Sequence, residues 1–227
     1  MEVLKTFRHE YKYLIPYEDM LILRKKLNEV LDIDRCEDGY LIRSLYFDSI
    51  EDEDYYDKLG GEINRKKIRL RIYEPNPNFV KLEIKSKYDT HQLKKSLIID
   101  KNTAEALIKE NYDVLLNYDD ETAKEAYTIL RKGLYKPKII IEYQRIAYTT
   151  GTTTRITFDF DLKSSLDIES FFDEEINYND LNSKTDVVLE IKFDRFLEPY
   201  LSNILSSYST RHESVSKYVI GRNLMEE

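Results

Sequence analysis

Several strand-length segments of this chain alternate between polar and apolar residues, and this alternation limits the folds that the chain can adopt. Residues 67–73 read KIRLRIY, residues 81–87 read KLEIKSK and residues 155–160 read RITFDF. Successive side chains of a β-strand point to opposite faces of a sheet, so each segment places its charged groups on one face. The alternation predicts an antiparallel sheet with two chemically different faces.

The rest of the pattern adds helices to this sheet. Residues 17–31, 103–110 and 120–132 are predicted to be helical, and the last of these segments ends at a glycine, which is typical of a C-cap. Residues 161–185 are polar and weakly patterned, which predicts a long loop. About eight strands and four or five helices, with few glycines and prolines, predict a single α+β domain over residues 1–227.

The charged faces of the predicted strands have two interpretations. Arg69 and Arg71 share one face, as do Glu83 and Lys85. One interpretation is an ordinary solvated face of an antiparallel sheet. The other closes the sheet into a barrel with the charges inside, where Arg and Lys repel one another unless a polyanion such as a phosphate chain is bound. A few carboxylates in the same cavity would hold Mg²⁺ or Mn²⁺.

Composition and charge argue against several classes of function. The net charge of −8 disfavours general nucleic-acid binding. The N-terminus lacks the apolar region of a signal peptide, and no apolar run approaches the roughly 18 residues of a membrane span. Cys36 is the only cysteine, which excludes an internal disulfide and a cysteine-rich metal site, and these features together fit cytoplasmic residence. The sequence contains no spaced histidine cluster and no glycine-rich phosphate loop.

Short motifs along nearly the whole chain resemble one known family. They occur in the order that the family has, between about residue 8 and residue 222. The motifs are EYKY at 10–13, LYFD at 45–48, IRLR at 68–71, LEIK at 82–85, KKS at 94–96, EYQR at 142–145, VLEIK at 188–192 and SKY at 216–218. Each motif alone is weak, but the ordered set resembles the VTC (vacuolar transporter chaperone) domain, a member of the triphosphate tunnel metalloenzyme superfamily.

This resemblance implies a fold, a reaction and a set of site residues. The fold would be an antiparallel β tunnel barrel of about eight strands with flanking helices. VTC-type members transfer the γ-phosphate of ATP onto a growing polyphosphate chain, using Mn²⁺ or Mg²⁺. The implied catalytic residues are Arg69, Arg71, Lys85, Arg145 and Lys217; the implied phosphate-binding residues are Lys12, Lys95, Tyr143, Arg155, Lys192 and Ser216; the implied metal ligands are Glu190, Glu83 and Glu10.

The chain departs from the wider superfamily at its first motif. Where the superfamily has Glu-x-Glu-x-Lys, this chain has Arg8 in place of the first acid. The missing acid disfavours a two-metal hydrolase and fits a VTC-type site. No SPX domain and no transmembrane helix are expected, so the chain itself is not expected to move polymer across a membrane.

Three functions remain open from the residues. They are an ATP-dependent polyphosphate polymerase, a hydrolase of triphosphate or polyphosphate, and a non-catalytic sensor of polyphosphate or nucleotide. The ligands in each case would be ATP or another nucleoside triphosphate and inorganic polyphosphate or triphosphate. The presence of an acid at Glu190 among basic residues favours catalysis over binding alone.

Overall fold

The structure is a computed structural model, and it describes residues 8–89, 91–151, 153–181, 186–206 and 215–223. The strands in these ranges are β1 (Arg8–Pro16), β2 (Asp32–Ile33), β3 (Tyr40–Asp48), β4 (Arg65–Ile72), β5 (Val80–Tyr88), β6 (His91–Ile99), β7 (Lys136–Thr149), β8 (Thr154–Ser165), β9 (Asn179–Asp180) and β10 (Asp186–Asp194). The α-helices are α1 (Tyr17–Leu27), α2 (Glu53–Leu59), α3 (Lys101–Ile108), α4 (Glu121–Lys132), α5 (Pro199–Leu205) and α6 (Lys217–Asn223). Two 3-10 helices span Tyr112–Asn117 and Ile168–Phe172.

The predicted α+β class with an antiparallel sheet and flanking helices is confirmed. Neighbouring strands follow the order β1-β10-β8-β7-β3-β4-β5-β6, while β2 pairs with β7 and β9 pairs with β8. This order begins at β1 and ends at β6, with no ladder joining these two strands in the described ranges. Closure of the charged faces around one cavity therefore stays a prediction.

The chain packs as two compact units. The described residues of the first unit fall within 1–41, 143–162 and 182–216, and those of the second fall within 42–142, 163–181 and 217–227. Each unit has its own apolar core. None of the helices in the described residues is long and apolar enough to cross a membrane. A single domain over residues 1–227 stays a prediction.

The core of the first unit lies between helices α1 and α5 and the apolar faces of its strands. Met20, Leu23 and Leu27 follow helical spacing and are fully buried against strand residues such as Ile156 and Leu189. The helix ends at Leu27, four residues before the predicted end. The side chain of the next residue, Asn28, accepts a hydrogen bond from the Tyr148 hydroxyl at 2.6 Å, and the chain turns there.

The core of the second unit lies between the apolar faces of β3 to β6 and the helices α3 and α4. Leu70, Leu82 and Ile84 are buried there. The first turn of α4 is capped by Asp120, whose carboxylate accepts from the backbone N–H groups of residues 122 and 123. The helix ends at its C-cap, Gly133, as predicted. Helices therefore cover the apolar faces of these strands, and the charged side chains lie on the other faces.

The predicted loop at 161–185 is wrong in part, because three short stretches of it form regular structure. Strand β8 continues to Ser165, a 3-10 helix follows at Ile168–Phe172, and β9 is formed at 179–180. The buried Arg43 guanidinium holds this segment, because it donates to the carbonyl oxygens of residues 171 and 173 at 2.9 and 2.7 Å. These bonds join residues about 130 positions apart, so no local pattern could reveal them. Residues 182–185 lie outside the described ranges.

Candidate functional site

The charged face of the second unit is built by β3, β4 and β5. Arg69 lies opposite Tyr46 on one side and Glu83 on the other. Its Nε and Nη2 both approach Glu83 Oε2 at 2.8 Å, and its Nη1 donates to the Tyr46 hydroxyl at 2.8 Å. Arg71 Nε lies 3.8 Å from the same Glu83 oxygen. Glu83 is only 1% exposed and Arg71 8%, so the centre of this face is not an ordinary solvated surface.

A row of lysines crosses the same face beside Arg69. Lys67 on β4 lies opposite Lys85 on β5, and Lys85 lies opposite Lys94 on β6. Like charges directly opposite each other on neighbouring strands destabilise a sheet. Glu83 is the only carboxylate on strands β4 to β6 and forms an ion pair with Lys94 at 2.5 Å. The face is therefore strongly basic, although the whole chain is acidic.

The pKa values on this face reflect its positive charge. Burial raises the pKa of Glu83, but the charges of Arg69 and Arg71 and the contact with Lys94 outweigh it and lower the value to about 2. Burial lowers the pKa of Lys94, and the two arginines lower it further. Burial likewise raises the pKa of Tyr46, but the same arginines hold it below its usual value. The positive charge of this face therefore favours the ionised forms of Glu83 and Tyr46.

Helix α6 belongs to the second unit and begins with Lys217. The Lys217 charge helps to lower the pKa of Tyr46, so the ammonium belongs to the electrostatic neighbourhood of Arg69. The next residue, Tyr218, stacks on the Tyr46 ring at 5.2 Å between centroids and donates a hydrogen bond to the buried Asp48. The helix therefore places the predicted residue Lys217 near the basic face.

Lys95 does not lie on the basic face, contrary to its predicted role there. It pairs with Ile84, whose side chain belongs to the apolar core, and its ammonium contacts Glu125 of α4. The reason is the register of the β5–β6 ladder, which brings Lys94 rather than Lys95 opposite Lys85. Sequence reasoning therefore missed Lys94. It also omitted Lys67, although the alternation of KIRLRIY places that residue with Arg69 and Arg71.

The charged face of the first unit combines acids and bases in close pairs. Across β1, β10 and β8, Lys12 lies opposite Glu190, and Glu190 lies opposite Thr157. The Lys12 ammonium contacts Glu10 Oε1 at 2.9 Å and Glu190 Oε1 at 3.3 Å. Lys192 Nζ contacts the other oxygen, Glu190 Oε2, at 2.8 Å. Glu190 is only 6% exposed, so its charge is held inside the protein by cations.

Arg145 extends this charged face along β7. Its Nε and Nη2 donate to the two oxygens of the fully buried Asp159 at 2.5 and 2.7 Å, and Nη2 lies 3.9 Å from Glu190 Oε2. The guanidinium carbon lies 5.4 Å from the centre of the Tyr143 ring. The alternation of RITFDF placed Asp159 on this face, but its pairing with Arg145 could not be predicted from the sequence.

The remaining predicted residues of the first unit are Arg155 and Ser216. Arg155 Nη2 donates to Asp34 Oδ2 at 2.7 Å and to the Tyr40 hydroxyl at 3.2 Å. Ser216 is half-buried and directly precedes α6 in the chain. Arg155 shares its face with Lys192, because the two residues lie opposite each other on β8 and β10.

The ionised form of Glu190 is strongly favoured. Burial raises its pKa, but the Lys192 charge, a hydrogen bond with Glu10 and the Lys12 and Arg145 charges lower it well below its usual value. Burial lowers the pKa of Lys12, but Glu190 and Glu10 outweigh it and raise the value overall. Burial also lowers the pKa of Arg145, but the charge of Asp159 outweighs burial and raises the pKa overall. These groups are therefore held in their charged forms.

The predicted metal ligands are brought together only in part. No group of three or more Asp, Glu, His or Cys side chains is arranged to hold a metal ion in the ranges that the structure describes. Glu10 and Glu190 nevertheless place one oxygen each within 3.3 Å of the same ammonium nitrogen, Lys12 Nζ. Two carboxylate oxygens around one cation are a donor set that fits Mg²⁺ or Mn²⁺. Glu83 belongs to the second unit.

Comparison with solved structures identifies the fold. HpAC1 from Hippeastrum, a candidate adenylyl cyclase with a dominant triphosphatase activity, is 14% identical with a TM-score of 0.56, over 94% of each chain. A candidate adenylate cyclase from Bacillus halodurans is 16% identical with a TM-score of 0.54, over 91% of this chain and 92% of that one. Another, from Vibrio parahaemolyticus, is 14% identical with a TM-score of 0.50, over 95% and 97%. This likeness shows that the chain shares the fold of these proteins.

Comparison with protein families identifies the family that the motifs resembled. No curated protein matches the chain. The VTC domain matches residues 7–226, which is nearly the whole chain. The chain therefore belongs to the VTC domain family.

Proposed function

We propose that this chain is a polyphosphate polymerase, which transfers the γ-phosphate of ATP to a growing polyphosphate chain. The observation that carries the proposal is the lysine row Lys67–Lys85–Lys94 beside Arg69 on the second unit. Neighbouring cations at this spacing repel each other, and Glu83 is the one carboxylate on strands β4 to β6. A phosphate chain has the repeating negative charge that this row would bind.

Phosphoryl transfer requires little covalent chemistry from a protein, because positioning and charge stabilisation supply most of the rate acceleration. In this proposal Arg69, Arg71, Lys85 and Lys217 of the second unit stabilise phosphate oxygens during the transfer. Arg145 of the first unit keeps the role that the family resemblance implies for it. Lys12, Tyr143, Arg155, Lys192 and Ser216 bind neighbouring phosphates. The acceptor phosphate is already ionised, so the reaction needs no strong general base. Residues 1–227 would act as a single VTC-type domain.

Glu190 and Glu10 are the residues that would hold Mn²⁺ or Mg²⁺. A divalent cation bound there would neutralise charge on phosphate oxygens. The Lys12 ammonium now lies between the two carboxylates and would have to move from that position. The low pKa of Glu190 keeps its carboxylate ionised, which is the form that binds a metal ion.

Hydrolysis of triphosphate or polyphosphate is the second candidate. It is supported by the dominant triphosphatase activity of HpAC1, a protein of the same fold. The same residues would serve if water replaced the acceptor phosphate. Arg8 in place of the first acid of Glu-x-Glu-x-Lys favours the polymerase.

One incubation separates the candidates. The purified chain is mixed with ATP and Mn²⁺, and the products are examined by gel electrophoresis and by an assay for free phosphate. We expect a ladder of long polyphosphate, which disappears with EDTA. Free phosphate without polymer would instead identify a hydrolase. ATP or triphosphate binding without turnover would identify a sensor, and no binding at all would overturn the proposal.

A further inference from the structure

Thr157 carries a buried hydroxyl group that the fold itself does not use. The residue is only 2% exposed, and its Oγ1 has no hydrogen-bond partner among the described residues. Buried polar side chains normally have a partner, because an unmade hydrogen bond costs free energy. Thr154, three residues earlier on β8 and equally buried, donates to Glu198 Oε2 at 2.9 Å. The two threonines therefore form a natural comparison.

The position of Thr157 points to a phosphate oxygen as the missing partner. Thr157 lies opposite Glu190 on β10 and shares its strand face with Asp159, which holds Arg145. Lys12 approaches Glu190 from β1, on the other side of β10, so the two-carboxylate cation position lies away from Thr157. On β8, Thr157 lies between Arg155 and Asp159 on the same face, and Asp159 holds the Arg145 guanidinium.

Arg145 has donors left for an anion. A guanidinium has five N–H groups, and Asp159 accepts one from Nε and one from Nη2. We propose that a phosphate oxygen bound by Arg145 also accepts a hydrogen bond from Thr157 Oγ1. Thr157 is neutral, so it adds a directed donor without adding to the charge of the site. This assignment rests on the proposed function, since it requires that the site binds a phosphate chain.

The proposal predicts opposite effects of one substitution on stability and on binding. Thr157→Val keeps the shape and β-branching of the side chain and removes only the hydroxyl. The fold loses no hydrogen bond, so the denaturant midpoint should be unchanged or higher. Binding of inorganic triphosphate should weaken by about tenfold, the scale of one hydrogen bond to a charged group. Thr157→Ser, which keeps the hydroxyl, should bind within about threefold of the wild type.

The experiment titrates inorganic triphosphate, in the presence of EDTA, into the wild type, Thr157→Val, Thr157→Ser and the control Thr154→Val. Thr154→Val should lower the denaturant midpoint, because it breaks the bond to Glu198, and should leave triphosphate affinity unchanged. Wild-type affinity in Thr157→Val would overturn the Thr157 assignment alone. A lowered midpoint in Thr157→Val with affinity unchanged would assign the hydroxyl a structural partner. If the wild-type chain binds no triphosphate, the proposed function and this assignment both fail.

Discussion

Lys94 and Glu83 form an ion pair across the β5–β6 ladder, with Lys94 Nζ 2.5 Å from Glu83 Oε1. Lys95, the next residue in the chain, lies on the opposite face of β6 and contacts Glu125 of α4. The two adjacent lysines therefore lie on opposite faces of the sheet. This difference provides matched variants for the basic face of the second unit.

Lys94→Ala should weaken the binding of inorganic triphosphate, whereas Lys95→Ala should not. The Lys94 side chain is 51% exposed, so its loss should cost about 1–1.5 kcal/mol of binding free energy, or close to tenfold in affinity. The substitution also leaves Glu83 with one cation fewer, which adds to the repulsion of phosphate. Isothermal titration calorimetry of both variants provides the measurement. Equal losses of triphosphate affinity in the two variants would mean that the ligand does not bind specifically to the basic face.

Arg71→Ala should weaken ATP or triphosphate binding by about 1.5–3 kcal/mol, because Arg71 is nearly buried on the basic face. The fold should survive, since the loss of one of several crowded cations relieves repulsion. Arg131→Ala is the control, because Arg131 lies on α4 and pairs with the exposed Asp113. Fluorescence titration with triphosphate would measure both. Unchanged affinity of the Arg71 variant would exclude this face from ligand binding.

Glu190→Gln should keep the shape of the side chain and lose metal-dependent turnover. Binding of polyphosphate without metal should be retained or tightened, because one negative charge near the ligand has gone. Glu125→Gln, which changes the partner of Lys95 on α4, is the matched control and should retain turnover.

Activity and Mn²⁺ titrations distinguish the roles of Glu190. Turnover of Glu190→Gln within a few-fold of the wild type, with the same Mn²⁺ dependence, would exclude a metal ligand. Loss of folding would instead indicate that the carboxylate is required to pair with Lys12, Lys192 and Arg145.

Asp54 should make the stability of the protein decrease as the pH rises toward 8. Burial raises its pKa to about 7, although Lys66 at 3.5 Å and the Tyr135 hydroxyl at 2.9 Å oppose the rise. The folded state therefore holds a proton that the unfolded chain releases near pH 4. This contribution is complete below pH 4 and is lost as the pH rises through 7, with a size on the order of 4 kcal/mol.

Urea denaturation at pH 5 and pH 8 tests this dependence. Asp54→Asn should be more stable than the wild type at pH 8 and should lose part of the decline between the two pH values. Asp52→Asn is the opposite control: hydrogen bonds from Arg222 lower the Asp52 pKa, so this substitution should destabilise the protein at both pH values. Identical pH profiles for Asp54→Asn and the wild type would refute the assignment.

Which side chains share a strand face could be predicted from the sequence alone. Alternation placed Arg69 with Arg71 and Glu190 with Lys192, and helical spacing placed Met20, Leu23 and Leu27 on one buried face. These features follow from backbone geometry that repeats every 2 or 3.6 residues, so a local pattern is sufficient to reveal them. The ordered motifs indicated the VTC domain, which the match over residues 7–226 confirms.

Which groups meet across strands could not be predicted in this way, because it depends on how the whole chain packs. The ladder register, which depends on residues far apart in the chain, selected Lys94 over Lys95. The pairing of Arg145 with Asp159 and the lone hydroxyl of Thr157 depend on which strands become neighbours and on how deeply they are buried. Register and burial are set by the packing of the whole chain, and no sequence period encodes them.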